Sequence, residues 1–207
     1  MNPMPHLTFR GLDIAYDHRV LEPRPWTEAQ SSWAAELLPQ APEGPVLELC
    51  AGAGHIGLGA VKDTHRELVM VDVNPAAEEF SLTNASTNGL ASQIAFRRGR
   101  MEEVLQPGER FPLIVADPPW VRSTETSWFP EDPVLAIDGG GDGLDLARTC
   151  VDLMDQHLAE GGAGLLQLGN LAQAETIAAY AAEQTGGRLT VAETREFERG
   201  VLVRLSR

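Results

Sequence analysis

Cysteines, basic residues and long apolar runs are all scarce in this chain of 207 residues. Its two cysteines, Cys50 and Cys150, lack CxxC spacing and are too few for a disulfide framework, so we expect reduced, structural thiols. The five histidines form no ligand pair at helical spacing, and we predict no metal site. The longest stretch without a charged side chain, residues 80–96, is rich in polar residues and predicts no membrane-spanning helix.

Positive charge is also scarce, with 16 basic residues against 30 acidic ones and a net charge of −14. Because Lys and Arg supply most of the nonspecific affinity for nucleic acids, we expect no extended nucleic acid interface, although a local contact stays open. The amino terminus, Met1-Asn2-Pro3, has neither a basic cluster nor an apolar run. It therefore lacks a secretory signal pattern, and a cytoplasmic location is the default expectation.

What the chain does contain is typical of a globular protein, with 43% hydrophobic and 22% charged residues. Its length predicts one compact domain. Within it, we assign residues 1–40 to an amino-terminal extension with a capping helix and residues 41–207 to the main domain. The oligomeric state is not predicted.

Apolar runs bounded by glycine and proline alternate with helical patterns, which is typical of an α/β fold. Five runs predict buried strands, at residues 46–50, 68–72, 94–97, 111–116 and 163–168. Two more, residues 189–197 and 201–205, flank a short turn and predict an antiparallel hairpin at one sheet edge. The resulting prediction is a Rossmann-like, mostly parallel sheet of seven strands with helices on both faces.

Two helix starts have recognisable capping residues. Thr27 and Gln30 have the spacing of a capping box. Asn74 and Pro75 predict the start of another helix, which Gly89 should end.

The second half of the chain adds two predicted helices and a loop. Apolar residues recur every three or four positions over residues 144–158, which predicts an amphipathic helix packed on the sheet. Residues 171–183 predict another helix. Residues 122–143 show little periodicity and predict a long loop, and loops of this length in compact domains are usually functional.

A glycine-rich turn follows the first buried strand of this pattern. Gly52, Gly54 and Gly57 match GxGxxG, where glycines let the backbone approach a ligand and a helix amino terminus offers free N–H groups. Alone, this match is a weak signal. Asp72 strengthens it, because it lies 20 residues after Gly52, at the separation where a carboxylate accepts from both ribose hydroxyls. Together these features predict a nucleoside-bearing cofactor, with a ligand-free tight turn as the alternative.

Glu48 indicates which cofactor the loop binds. It lies inside an apolar strand, where a dinucleotide site has no use for a carboxylate and burial is costly unless the group is paired. The spacing of Glu48, Cys50, Gly52 and Gly54 resembles motif I of the class I S-adenosylmethionine methyltransferases, whose acidic residue helps to hold the methionine end of the cofactor. Many members have glycine where this chain has Cys50. An ion pair between Glu48 and an arginine is the alternative.

The strand at residues 111–116 runs directly into Asp117-Pro118-Pro119-Trp120. Two prolines remove two N–H donors, which leaves the Asp117 carboxylate and nearby carbonyls as a rim of acceptors at the carboxyl edge of the sheet. A planar NH₂ group fits such a rim, because its hydrogens meet acceptors while its lone pair faces a methyl sulfonium. Trp120 offers a stacking face worth about 1 to 3 kcal/mol for a base and less for an amide. A simple Pro-Pro strand terminator is the alternative.

A wider resemblance covers the chain from about Phe9 to Asn170. In order, five segments are similar to the HemK-type glutamine N5-methyltransferases of translation release factors: residues 20–28, the glycine loop, Asp72-Val73-Asn74-Pro75, Asn84-Ala85 and residues 137–145. The resemblance implies that residues 41–207 are a class I catalytic domain. The residues it implies for holding S-adenosylmethionine, with S-adenosylhomocysteine as product, are Glu48, Cys50, Ala51, Gly52, Gly54, Asp72, Val73 and Glu102. The residues it implies for positioning the acceptor are Asp117, Pro118 and Trp120.

Three features depart from that family. It has Asn-Pro-Pro-Tyr where this chain has Asp117 and Trp120, and Asp-Pro-Pro-aromatic is more frequent in enzymes that resemble adenine N6- or guanine N2-methyltransferases. Release factor enzymes carry a helical amino-terminal domain, whereas about 40 residues precede motif I here, so release factor recognition is not implied. Many relatives have an acid after the third strand that reads adenine, whereas this chain has Arg100 followed by Glu102.

The leading hypothesis is therefore methylation of a glutamine side-chain amide in a protein, a translation factor or ribosomal protein by resemblance. Within the class, the alternatives are an exocyclic amine of a nucleobase and a small molecule. A nicotinamide-dependent dehydrogenase is the rival from another enzyme class, and a catalytically inactive binding module is a third hypothesis. His55 is interpreted as a first-turn helix residue rather than a base. Trp128 and Phe129 either line an acceptor pocket or anchor the loop.

Overall fold

The computed structural model describes residues 4–207, so the amino-terminal pattern at residues 1–3 lies outside the described residues. An antiparallel hairpin comes first, formed by β1 (His6–Phe9) and β2 (Leu12–Ala15). Arg10 and Gly11 make its two-residue turn with φ angles of 49° and 81°. We did not predict this hairpin, because its turn is Arg-Gly rather than the Asn-Gly or Asp-Gly that signals such turns.

A seven-stranded sheet forms the centre of the described chain, which confirms the predicted fold class. Its strands are β3 (Val46–Leu49), β4 (Leu68–Asp72), β5 (Ile94–Arg98), β6 (Phe111–Ala116), β7 (Leu158–Leu168), β8 (Thr190–Glu196) and β9 (Val201–Ser206). Their order is β5-β4-β3-β6-β7-β9-β8, with the first five parallel and β9 antiparallel to both of its neighbours. The predicted carboxyl-terminal hairpin is thus confirmed, and β8 is the edge strand.

Helices cover both faces of this sheet. Within residues 4–207 the α-helices are α1 (Glu28–Leu37), α2 (His55–Val61), α3 (Pro75–Thr87), α4 (Met101–Val104), α5 (Val134–Ile137), α6 (Asp145–His157) and α7 (Leu171–Gln184). Short 3₁₀ turns occupy Pro25–Thr27, Ala91–Gln93 and Ser123–Trp128. None of the helices described is both long and apolar enough to cross a bilayer.

One predicted helix cap is confirmed and one is wrong. The Asn74 side chain accepts a hydrogen bond from the Ala76 N–H at 2.9 Å and caps α3. The capping box at Thr27 and Gln30 does not form, because a 3₁₀ turn precedes α1 and gives Thr27 helical rather than extended backbone angles. Gln30 is instead fully buried, and its Nε2 donates to the carbonyl of Ala116 at 2.9 Å.

The hydrophobic core has one layer on each side of the sheet. Strand side chains alternate between the two faces, so Val46 joins the layer under α1, α2 and α3, whereas Leu47 and Leu49 join the layer under α6 and α7. By the same alternation, Glu48 points toward α2. The chain continues from β3 to β4 and β5 on one side and returns to β6 on the other. The carboxyl edge between β3 and β6 is therefore the switch point where such sheets bind ligands.

Candidate active site

A cavity of about 260 Å³ lies at this switch point. A single buried water needs roughly 10 to 15 Å³ of such space, so the cavity is large enough for a small molecule. Four neighbouring strands contribute to its wall through the residues that follow them: 50–53 after β3, 72–74 after β4, 99–102 after β5, and Asp117 and Pro119 after β6. Further lining residues come from the segment at residues 20–24 and from elsewhere in the described chain: Thr27, His55, Ile56, Val71, Leu135, Ala136 and Leu146.

The glycine loop has the tight backbone that its sequence predicts. Gly52 and Gly54 have φ angles of 53° and 77°, and α2 begins directly afterwards. Cys50 also has a positive φ, 58°, a conformation that costs a non-glycine residue on the order of 1 kcal/mol. Gly57 has a different role, because a Cβ there would collide with the Glu48 carboxylate. Its missing side chain lets Glu48 sit directly beneath the helix.

Asp72 connects this loop to the end of β4. Its Oδ2 accepts a hydrogen bond from the Gly52 N–H and its Oδ1 from the Asn74 N–H, both at 2.9 Å. Burial raises the pKa of this carboxyl, and the backbone N–H groups oppose that rise. Each oxygen retains a second lone pair, so the group fits the predicted hydrogen bonds to ribose hydroxyls.

Glu48 lies behind the cavity wall rather than on it. It is 2% exposed, its Oε1 accepts from the Gly57 N–H at 2.9 Å, and its Oε2 is buried without a partner. No arginine within residues 4–207 pairs with it, and burial raises its pKa to about 8. The expected direct contact with the methionine end of the cofactor therefore has no support in this placement, because strand alternation turns the side chain under α2. Glu48 supports the glycine loop from below.

Only two of the four residues of the Asp-Pro-Pro-Trp element line the cavity. Asp117 and Pro119 line the cavity, whereas Pro118 and Trp120 are not among its described lining residues. The chain after Trp120 turns into a bridge between Val121 and Asp138, and the Trp120 ring packs against Gly169. The Trp120 carbonyl accepts from Gln173 Nε2 at 3.0 Å. This packing holds Trp120 against the start of α7.

Burial raises the pKa of Asp117 to about 7, and no basic side chain in the described part of the chain forms an ion pair with it. The Asp117 carboxyl, which was predicted to be purely an acceptor, is therefore protonated for part of the time at neutral pH. A nearby positive charge favours the ionised form of a carboxyl. A sulfonium in the cavity would thus convert Asp117 to the acceptor that its role requires.

Of the other residues predicted to hold the cofactor, all but Gly54 are among the described lining residues of the cavity. Cys50 and Ala51 line it beside the glycine loop, and Val73, which is 46% exposed, lines it beside Asp72. Glu102 lies on α4 at the cavity and pairs with Arg100 at 3.0 Å. None of the described His, Cys, Asp and Glu residues forms a cluster of three that could hold a metal ion.

Residues 20–24 form a strap along the cavity wall, within the segment at residues 20–28 that carries part of the sequence resemblance. Arg24 lines the cavity, and its guanidinium donates to Asp132 at 2.5 Å, which joins the strap to the loop at residues 122–143. The Thr27 hydroxyl donates to the Arg24 carbonyl at 2.7 Å and lies 3.1 Å from His55 Nε2. Because the Thr27 hydroxyl proton is already donated to Arg24, His55 Nε2 carries a proton and donates it to the Thr27 oxygen. Burial lowers the pKa of His55 to about 3, which makes it a neutral positioning group rather than a base.

The strand order, the glycine loop after β3, the acid after β4 and the Asp-Pro-Pro element after β6 together form the arrangement typical of class I methyltransferases. Residues 29–129 match the family model described as Methyltransferase small domain. This match assigns the glycine loop to a methyltransferase rather than to a nicotinamide-dependent dehydrogenase.

Two curated relatives resemble the chain at modest identity. The release factor glutamine methyltransferase of Koribacter versatilis is 31% identical over 170 residues, which cover 79% of this chain and 60% of the relative. The ribosomal protein uL3 glutamine methyltransferase of Francisella tularensis is 28% identical over 184 residues, which cover 81% and 57%. The chain thus spans about 60% of the length of such relatives. An RNA methyltransferase from Salinibacter ruber, solved with S-adenosyl-L-homocysteine, shares the fold with a TM-score of 0.56 at 14% identity, over 89% of this chain and 92% of that one.

S-adenosylmethionine is the cofactor of this class, and the residues present fit it. The Asp72 carboxylate faces the cavity with free lone pairs for a ribose. The loop from Cys50 to Ala53 brings backbone, with little side chain, to the cavity wall. Met101 and Leu146 provide apolar surface on which an adenine ring can lie.

Proposed function

We propose that this chain methylates a planar nitrogen with S-adenosylmethionine, and that the acceptor is a glutamine side-chain amide in a protein of the translation machinery. The observation that carries the proposal is Asp117, a carboxyl without an ion pair at the cavity wall, beside the cofactor loop. The named activities of the curated relatives support the amide as acceptor.

Asp117 has two tasks in this reaction. An amide nitrogen is a poor nucleophile, and positive charge grows on it as it gains a methyl group. When bound, the cofactor supplies a methyl carbon activated by a positively charged sulfur. A carboxylate oxygen of Asp117 accepts an amide N–H, which orients the nitrogen and stabilises its charge. Its pKa, raised to about 7, also makes Asp117 a better proton acceptor than an ordinary carboxylate.

Neighbouring groups preserve this arrangement. Pro118 and Pro119 present no N–H donors that could compete for the carboxylate. Gln30, on α1, donates a hydrogen bond to the carbonyl of Ala116, the residue before Asp117. The strap at residues 20–24 lines the cavity, and the ion pair between Arg24 and Asp132 connects it to the loop at residues 122–143.

The test uses unmodified release factor and ribosomal protein uL3 as acceptors, with a methyl-labelled donor and mass spectrometry of the glutamine-containing peptides. We expect one added methyl group on a glutamine. Asp117→Ala should lower kcat on the order of 100-fold or more, because it removes both side-chain oxygens that could accept the amide N–H and its proton. Glu67→Gln, at an exposed carboxylate away from the cavity, is the matched control.

A nucleobase amine is the second candidate, because Asp117 and the half-buried Trp120 occupy positions where base-modifying enzymes carry Asp-Pro-Pro-aromatic. The net charge of −14 argues against a nucleobase in a long nucleic acid, because the acidic protein would repel its phosphates. Incubation of fractionated cell extract with the labelled donor distinguishes the two. Label found only in the RNA fraction would contradict the amide proposal.

A further inference from the structure

We propose that the loop at residues 122–143, called here the docking loop, binds the acceptor protein through an apolar surface with an acidic rim. Its partner is a protein segment in which Lys or Arg residues flank an apolar side chain next to the methylated glutamine. The inference rests on the proposed function, because it identifies the partner surface of the same site.

The docking loop holds an unusual share of exposed apolar surface. Four of the nine exposed large hydrophobic side chains among residues 4–207 lie within its 22 residues. They are Trp128, 69% exposed, Leu135, 61%, Val134, 58%, and Phe129, 37%. Single exposed apolar residues are ordinary, whereas a concentration in one loop is typical of an interaction surface.

This surface is continuous with the candidate active site. Leu135 lines the cavity although most of its side chain is exposed. Asp132 pairs with Arg24 of the strap, and its N–H donates to the Phe129 carbonyl at 3.1 Å. The two exposed apolar pairs of the loop, residues 128–129 and 134–135, therefore lie on either side of this ion-paired residue in the sequence. A partner that covers these side chains can therefore reach into the cavity.

The loop presents this surface on an ordered backbone. The Asp138 carboxylate accepts from the Ser123 hydroxyl at 2.6 Å and from the Gly140 N–H at 3.0 Å. The Gly139 N–H donates to the Val121 carbonyl at 2.8 Å, which closes the base of the loop. Because these hydrogen bonds fix both ends, the apolar side chains are held outward before any partner arrives, and the entropic cost of docking is reduced.

The acidic charge of the docking loop favours a partner segment with positive charge. It contains five acidic residues and one basic residue, Arg122, in a chain with a net charge of −14. Asp132, Asp138 and Asp142 are engaged within the protein, whereas Glu131 is exposed and Glu125 half-exposed, and neither forms an ion pair with a described residue. A basic protein segment is attracted to this rim, whereas a phosphate backbone is repelled.

The test compares Trp128→Ser combined with Val134→Ser, two exposed docking-loop residues outside the described cavity wall, against Leu82→Ser, which removes a 43% exposed leucine from α3, also outside that wall. Binding of unmodified release factor and uL3 is measured by biolayer interferometry, with S-adenosylhomocysteine present. We expect the double variant to weaken binding and to raise the KM for the acceptor at least about tenfold. Affinity for S-adenosylhomocysteine and kcat should stay within about twofold, and Leu82→Ser should match the parent chain.

The charge argument has its own variant, Glu125→Lys combined with Glu131→Lys. We expect it to weaken binding at low salt and to reduce the salt dependence of binding, because it removes the attraction to a basic partner. Unchanged binding in both double variants would overturn the proposal. So would binding of neither protein to the parent chain, loop-dependent binding of RNA instead, or a concentration-dependent self-association that the apolar double variant abolishes.

The two proposals fail in different ways. Loop-dependent binding without any methylation supports the docking surface and contradicts the amide acceptor. Methylation with an unchanged KM in the apolar double variant supports the amide acceptor and contradicts the docking surface.

Discussion

The buried carboxyl of Glu48 should make this protein more stable in mild acid than in mild alkali. Folding moves the pKa of Glu48 from about 4.5 to about 8, so between these values the folded state holds a proton that the unfolded state has released. The free energy of unfolding then falls as the pH rises from 4.5 to 8 and levels off above 8. At 1.36 kcal/mol per pKa unit, the fall between pH 5 and pH 9 is on the order of 3 to 5 kcal/mol.

This fall is large against the total stability of a domain, which is about 5 to 15 kcal/mol. Asp117, whose pKa is raised to about 7, contributes in the same direction below pH 7. At low pH the stability changes in the opposite direction and falls as the pH falls. The pKa of Glu109 is lowered to about 2 by its bond with Arg97, so its stabilisation is lost as the pH falls from 4.5 through 2. For these three groups together, the gain from Glu109 and the losses from Glu48 and Asp117 cancel at about pH 4, where their combined contribution to stability should be greatest.

The measurement is urea unfolding at pH 5, 7 and 9 for the parent chain, Glu48→Gln and the control Glu67→Gln. Glu48→Gln retains an oxygen for the Gly57 N–H and cannot ionise, so it should lose most of the slope and be the more stable protein at pH 9. Glu67→Gln should keep the slope of the parent. An equal slope in Glu48→Gln and the parent would refute the assignment of the pH dependence to this buried carboxyl.

Three further outcomes are expected. Asp72→Ala should weaken S-adenosylhomocysteine binding at least about tenfold in calorimetry, since it removes the ribose acceptor and a hydrogen bond of the glycine loop. Gln30→Leu should lower kcat more than it changes the affinity for S-adenosylhomocysteine, because it releases the carbonyl beside Asp117; an equal loss of both would indicate general damage to the fold. The preference for S-adenosylmethionine over S-adenosylhomocysteine should increase from pH 6 to pH 8 as Asp117 ionises and attracts the sulfonium, and Asp117→Asn should remove that increase.

Most of the central sheet could be predicted from the sequence, because local patterns determine it. The bounds predicted for β4 and β6 match the structure, since buried aliphatic runs between turn residues are strong strand signals. β7 begins at Leu158, five residues before its predicted start. In this additional part, the pairing between β6 and β7 shifts register between Phe111 and Leu113. The glycine loop and Asp72 were also recognisable, because their spacing along the chain is fixed by one βαβ unit.

Contacts between distant segments could not be predicted in this way. Gln30 binds the carbonyl of Ala116, 86 residues away, and nothing in its own neighbourhood indicates that partner. Glu48 has the predicted sequence pattern, yet strand alternation places it behind the cavity wall. Trp120 lies three residues after Asp117 and was predicted to act beside it, yet its ring packs against Gly169, because the bridge at Val121 redirects the chain. Such placements depend on tertiary packing rather than on local propensity.

The position of β9 between β7 and β8 has a consequence for how copies of this protein behave in concentrated solution. It leaves β8 and β5 as the open borders of the sheet, and both carry charges: Glu193, Arg195 and Glu196 on one, Arg97 and Arg98 on the other. A strand from another molecule could add to either border only by drawing these side chains out of water. The most apolar strands lie in the middle, where no foreign backbone can reach them, so the sheet resists growing into aggregates.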